Sequence, residues 1–166
     1  MIAVLALAGC ATAPQAPAPR VDMTGALAAV RAVDQPTANE LTVRPLVDPE
    51  VADLRAQASA HEVAGRFDEA AHALDEALRI AVDDPDLLQA RAEIALAQGR
   101  LDEALGFAER SLALGPKVGP LCRRQQETRR QVALAQAAAG DASAASRADA
   151  AATARDACTV TPPPRY

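Results

Sequence analysis

The chain repeats a short pattern at an interval of about 34 residues, and this interval limits the fold more than any other feature. The segment GRFDEA, which begins at Gly65, returns as GRLDEA at Gly99. Further along, ALRI at Ala77 aligns with SLAL at Ser111. A fixed period of this length predicts one supersecondary unit that is copied and stacked, because a single unit cannot bury its apolar face alone.

The residue types within the period predict two helices joined by a turn. Each glycine suits a helix end that needs a left-handed backbone, and the Asp-Glu pair after it suits the first turn of a new helix. Ala70 and Ala104 are small enough for two helices to cross closely. Pro85 and Pro116 mark breaks between units. Since Ala dominates and residues typical of strands are sparse, we predict an all-α fold.

This pattern resembles the tetratricopeptide repeat family over roughly residues 51–116. The resemblance implies units at 51–84 and 85–118 and a degenerate third unit at 119–158. AAAGD around Gly140 matches the turn of the third unit, but it follows Gly99 by 41 residues. We therefore expect a short solenoid of about three hairpins. The large residues of the first helix are Leu54 and Leu88, whereas the usual Tyr is replaced by His61 and Ala95, and the aromatic of the second helix by Leu74 and Ala108.

Two cysteines support the third hairpin independently of the repeat. Cys122 and Cys158 each lie 18 residues from Gly140, one on either side. If Gly140 is the turn of an antiparallel helix pair, arms of equal length bring both thiols to the same end. We expect a disulfide between them in an exported protein, where such bonds persist. The alternative is two unrelated free cysteines.

The amino terminus resembles the signal peptide of a bacterial lipoprotein. An apolar run ends in Leu-Ala-Gly-Cys10, which is similar to the lipobox in which the cysteine thiol receives a diacylglycerol. The apolar run opens without Lys or Arg, so we expect a short basic segment upstream. Ala11 in place of Asp implies the outer membrane, facing the periplasm. We therefore assign residues 1–10 to the signal peptide.

The next segment is interpreted as a tether. Residues 11–49 are rich in Pro and Ala, a composition that favours extended, solvated chain. A short helix over residues 25–33 is compatible with this segment, as is an extended stretch over 41–44. The helical domain then covers residues 50–158, and residues 159–166 form a tail.

The composition argues against several classes of function. A net charge of −5 argues against nucleic acid as the main partner. The two histidines, His61 and His72, form no nucleophile pair with a cysteine, and we expect the first to pack inside its hairpin and the second to face solvent. We find no phosphate loop, metal-binding spacing or cofactor motif. The protein is therefore not predicted to be an enzyme, to contain a metal or to need a cofactor.

What remains is a surface for binding other proteins. In the family, the first helix of each unit lines a groove that binds an extended peptide or a partner's helix. The lining carried over by position comprises Arg55, Ser59, Glu62, Gln89, Glu93, Leu96, Arg130 and Leu134. Such a polar lining with arginines suits an acidic peptide or a carboxylate, although solvated helix faces are an equal alternative.

A basic cluster provides a second candidate surface. Arg123, Arg124, Arg129 and Arg130 follow an acidic stretch over residues 50–110. These arginines suit lipid head groups or an acidic partner, unless they balance charge within the chain. Together these features predict a lipid-anchored adaptor in the bacterial cell envelope. The alternative is a structural outer-membrane lipoprotein that mainly self-associates, and the oligomeric state stays undetermined.

Overall fold

The structure of the protein is a computed structural model that describes residues 23–35, 40 and 46–159. Within these ranges it contains seven helices and no strand, which confirms the all-α prediction. The helices are α1 (Met23–Ala32), α2 (Pro49–Val63), α3 (Phe67–Ile80), α4 (Pro85–Ala97), α5 (Leu101–Leu114), α6 (Pro120–Ala138) and α7 (Ala144–Ala157). None of these helices is both long and apolar enough to cross a membrane. The predicted lipid-modified Cys10, the stretch 41–44 and most of the tail lie outside the described residues.

Six of the helices form three consecutive hairpins. Helix α2 pairs with α3, α4 with α5, and α6 with α7, and each hairpin packs on the next. The first helix of every pair begins at a proline, whose fixed φ suits the first helical position and whose missing N–H would have no partner there. In the first two hairpins an aspartate precedes that proline and caps the helix with its side chain. Asp48 accepts a hydrogen bond from the Glu50 N–H, and Asp84 accepts one from the Asp86 N–H, both at 2.8 Å.

The turns inside the hairpins have the geometry expected from the repeated glycines. Gly65 and Gly99 both have φ of +72°, a conformation in which any other residue would be strained. In the first turn the Gly65 N–H donates to Glu62 O at 2.8 Å, and the next N–H, from Arg66, donates to His61 O. This is the pair of bonds that ends a helix in a Schellman motif.

The third hairpin uses the same turn. The Gly140 N–H donates to Ala137 O at 3.0 Å, and the Asp141 N–H donates to Gln136 O at 3.0 Å. Its first helix, α6, has 19 residues where α4 has 13, which accounts for most of the longer interval before Gly140. At the opposite end of the hairpin the structure joins Cys122 and Cys158 in a disulfide, with the two Cα atoms 5.7 Å apart.

The core is built from small and medium side chains. One cluster lies between α2, α3 and α4 and includes Leu54, Leu74 and Leu87. Ala70 and Ala104, the two alanines of the repeated pattern, are fully buried. Because alanine side chains are small, the helices that meet at these two positions pack closely without large aromatic residues.

Helix α1 corrects the interpretation as an extended, solvated tether for residues 23–32 only. Residues 23–32 form a helix that packs against α4 and α6. Its Ala26, Leu27 and Val30 are buried. A short helix over residues 25–33 was compatible with the sequence, but its packing was not predicted. Three apolar residues on one face suffice to hold it on the surface of α4 and α6.

Candidate partner-binding groove

The first helices of the three hairpins, α2, α4 and α6, define the surface on which the sequence predicted partner binding. We call this surface the first-helix face. The second helices pack behind it, each against the first helix of its own hairpin. Side chains of the first helices that point away from the second helices can therefore contact another segment or a partner that packs on this face.

Over α4 and α6, the first-helix face is covered by α1. Val30 is fully buried and Ala26 nearly so, and both belong to one cluster with Ala95, Leu96 and Val132. Ala95 stands where the family usually has a tyrosine. The small side chain leaves a shallow surface against which another helix can pack.

Charged groups fix the carboxyl end of α1. Arg31 contacts Glu62 at 2.5 Å on α2 and Glu93 at 3.3 Å on α4. The hydrogen bond to Glu62 raises the pKa of Arg31, and the nearby carboxylate of Glu93 contributes in the same direction. The side chain of Glu93 is only 1% exposed, and it also accepts hydrogen bonds from Gln89 and Arg124. Three donors thus compensate one buried carboxylate.

A second set of contacts continues past the end of α1. The guanidinium of Arg123 donates to Val33 O at 3.1 Å and Gln35 O at 2.8 Å, and it binds the Glu40 carboxylate at 2.5 and 2.9 Å. The side chains of Arg123 and Glu40 are 8% and 4% exposed. Bonding to Glu40 raises the pKa of Arg123 despite this burial. The two oxygens of Glu40 match the planar donor pair of the guanidinium.

The rest of the first-helix face forms an open cleft of about 360 Å³ between α1, α2 and α4. Arg55, Ser59 and Glu62 line it from α2. Among the described residues, Arg55 forms no ion pair or hydrogen bond. Burial raises the pKa of Asp86, and the positive charge of Arg55 opposes that effect.

Of the eight residues predicted to line a groove, four lie in this cleft. These are Arg55, Ser59, Glu62 and Glu93. The structure corrects the prediction for two others, because Gln89 and Leu96 are fully buried and do not line the cleft. Gln89 donates to Thr128 Oγ1 at 2.9 Å because α6 packs over it, and Leu96 lies in the cluster beneath α1.

The last two predicted residues lie on α6, away from the cleft. Arg130 binds the buried Glu127 at 2.9 Å. Leu134 is 39% exposed and lines no part of the cleft. The cleft lies beside the first and second hairpins, whereas these two positions belong to the third.

The basic cluster on α6 is largely neutralised within the chain. Besides Arg123, its Arg124 binds Glu93 at 2.6 Å, and Arg129 lies 3.8 Å from Glu109. In the described residues these arginines are therefore paired with carboxylates of the same chain, which was the alternative to a lipid or an acidic partner.

The two histidines lie on the other side of the first hairpin. His61 is half-buried and its Nδ1 accepts a hydrogen bond from Arg66 Nε at 3.1 Å. The side chain of His72 is 74% exposed. In the described part of the chain, no group of three or more His, Cys, Asp or Glu side chains is arranged to hold a metal ion.

Sequence reasoning missed α1 as part of the site. The available signal was the spacing of Ala26, Leu27 and Val30, which is that of one helical face, followed by Arg31 near the helix end. Nothing in that spacing specifies which surface the helix covers.

Comparisons with known proteins agree with this architecture. Residues 64–124 match the model of the tetratricopeptide repeat family. No curated protein matches the chain significantly. A similar solved structure is the globular C-terminal domain of LpoP from P. aeruginosa, with a TM-score of 0.56 and 28% identity. The match covers 64% of this chain and 99% of that domain.

Proposed function

We propose that this chain, whose residues 64–124 match the tetratricopeptide repeat family, is a lipid-anchored adaptor that binds protein or peptide partners in the bacterial cell envelope. Helical repeats present extended surfaces for protein binding. The observation that carries the proposal is the open cleft on the first-helix face, in which Arg55 has no ionic partner among the described residues. A site whose residues have no evident catalytic arrangement is better suited to binding than to chemistry.

The lining of the cleft indicates the partner's chemistry. Arg31 is paired with Glu62 and Glu93. Arg124, which also lines the cleft, is paired with Glu93 and Asp34, so Arg55 is the cation left to bind an incoming group. A guanidinium binds a carboxylate through two parallel hydrogen bonds. Ser59 beside it is exposed and adds a hydroxyl group. We therefore propose a partner segment that carries an acidic side chain.

The proposed anchor is Cys10. Leu-Ala-Gly-Cys10 after an apolar run provides the thiol on which a diacylglycerol thioether can form. The similarity to a domain of P. aeruginosa LpoP supports the bacterial setting that such processing requires. C10S should abolish incorporation of labelled palmitate because a hydroxyl group cannot form the thioether. Equal incorporation into the variant and the parent would exclude this anchor.

A native pull-down with mass spectrometry tests the adaptor itself. The full-length protein, R55E and R79E would each be captured from envelope membranes. Arg79 is a matched control because it lies on α3, outside the cleft, with a side chain 69% exposed. We expect the parent and R79E to recover the same envelope proteins and R55E to lose them. Recovery of only the protein's own chain would instead favour the self-associating lipoprotein.

A further inference from the structure

We infer that α1 is a displaceable occupant of the first-helix face, and that the surface it covers on α4 and α6 is the docking site for a partner's helix. The inference rests on the proposed adaptor function and names both a second docking surface and the segment that competes for it. It concerns the face of the second and third hairpins, whereas Arg55 lies in the open cleft of the first.

The position of α1 in the stack distinguishes it from a capping helix. A helix that caps a solenoid packs on the terminal unit, where it covers the exposed end of the core. Helix α1 directly precedes the first hairpin in the chain, yet it packs on α4 of the second hairpin and α6 of the third. It therefore occupies the surface that the repeat architecture offers to ligands.

The composition of α1 makes its helical state dependent on this surface. Its ten residues are fewer than an isolated helix needs to persist in water. Gly25 weakens it further. Only Ala26, Leu27 and Val30 are buried, so the apolar contact is small compared with that of a repeat helix such as α4. A short segment with few buried contacts belongs to the regions of a protein that open locally.

The face beneath α1 retains partners for most of its polar groups when α1 leaves. Glu93 keeps its hydrogen bonds from Gln89 and Arg124. Glu62 is at the edge of the open cleft, where water reaches it. Displacement of α1 would thus expose an apolar strip around Ala95 and Val132, with the carboxylate of Glu93 at one end.

A ligand on this surface must also provide hydrogen-bond acceptors for Arg123. All of the hydrogen-bond acceptors shown for it come from residues 33–40, namely two backbone carbonyls and the Glu40 carboxylate. A ligand that replaces α1 must therefore bring a carboxylate to Arg123. The surface fits a short amphipathic helix with Ala, Leu or Val on one face, a cation near its carboxyl end and an acidic residue after it.

Hydrogen exchange on the full-length protein tests whether α1 opens by itself. We expect amides of α1 to exchange at least about tenfold faster than those of α4 and α6, because they open without unfolding of the repeats. Equal protection of α1 and α4 would mean that α1 is an integral part of the repeat core, and would overturn the inference.

A peptide added in trans tests the docking surface without any natural partner. The probe is a fluorescent peptide of residues 20–40, titrated against the full-length parent, V30D, R31E and V63D. V30D places a charge in the buried contact. R31E reverses the ionic contacts of the half-exposed Arg31 side chain with Glu62 and the buried Glu93. V63D is the matched control because Val63 is 88% exposed.

We expect the peptide to bind V30D and R31E at least about tenfold more tightly than the parent or V63D. Failure to bind either variant, with circular dichroism showing that both remain helical, would overturn the inference. None of these readouts uses an envelope partner, so the adaptor proposal succeeds or fails separately in the pull-down.

Discussion

The second and third hairpins follow one plan but are stabilised differently. In the second, α4 buries the large apolar side chains of Leu87, Leu88, Ile94 and Leu96 along with the polar Gln89, Arg91 and Glu93. In the third, α6 buries Gln125, Glu127 and other polar side chains together with a few small apolar ones. Helix α7 contributes only alanines to the buried surface.

This difference shows what a hairpin needs when it lacks large side chains. Each buried alanine removes little apolar area from water, so the gain from packing α6 on α7 is small. The hairpin is held at one end by the glycine turn and at the other by the disulfide, with buried polar contacts between. Its stability is thus concentrated in a few specific bonds, whereas that of the second hairpin is spread over many apolar contacts.

The strongest test of this contrast removes the disulfide. The bond closes a loop with a sequence separation of 36, for which loop-entropy estimates give about 3–4 kcal/mol of stabilisation. The double variant C122S/C158S should melt at a lower temperature and lose hydrogen-exchange protection in α6 and α7, while α2–α5 remain protected. Reductant should bring the parent to the same melting temperature. An unchanged melting temperature would show that the third hairpin is held by its packing.

Overpacking tests the second hairpin. Ala104 is fully buried where α5 meets α4 and α1. A104W should lower the free energy of unfolding by about 3 kcal/mol, since the ring forces the helices apart. A113W is the control because Ala113 is exposed on the same helix. Denaturant melts should separate the two variants, and equal stability would contradict the close crossing.

The polar contacts of the third hairpin make a smaller, separate contribution. Glu127, 2% exposed, accepts from Arg155 at 2.7 Å and Arg130 at 2.9 Å. E127Q removes the charge but keeps the shape, and should reduce the free energy of unfolding by about 1–2 kcal/mol. E109Q is the control, because Glu109 is 54% exposed and lies 3.8 Å from Arg129. Chemical denaturation that shows no difference between them would contradict a stabilising role for the buried carboxylate.

The smallest expected effect is at the turn of the third hairpin. Hydrogen bonds from Arg147 and Ser143 lower the pKa of Asp141 from its ordinary value of 3.8 to about 2. Because the folded-state pKa is the lower one, the resulting stabilisation is present above pH 3.8 and is lost as the pH falls through about 2. R147A should raise this pKa toward 3.8 in a carboxyl NMR titration. A pKa that stays near 2 would assign the shift to Ser143 alone.

Much of the repeat architecture was predictable because it depends on local signals. The glycines at 65 and 99, with the acidic pair after each, indicate helix boundaries from backbone geometry and the helix dipole alone. The symmetric spacing of Cys122 and Cys158 about Gly140 likewise depends only on the rise of a helix. These features involve neighbours in the chain, so the residue pattern contains them.

The candidate site was predictable only in part, because exposure depends on what packs over each helix. Gln89 and Leu96 occupy positions that the family directs to a groove, yet α6 and α1 cover them. Likewise, Arg123 belongs to a run that suggests a charged surface, although its guanidinium binds Val33, Gln35 and Glu40.

The sequence by itself determined that this chain forms helical hairpins, where they turn and how far apart they recur. Those properties follow from backbone conformation and periodicity over a few turns of helix. Only the tertiary structure decided that α1 lies on the second and third hairpins and leaves a cleft at the first. That choice depends on contacts between segments far apart in the chain, such as Arg31 with Glu93, whose small free energies no local pattern encodes.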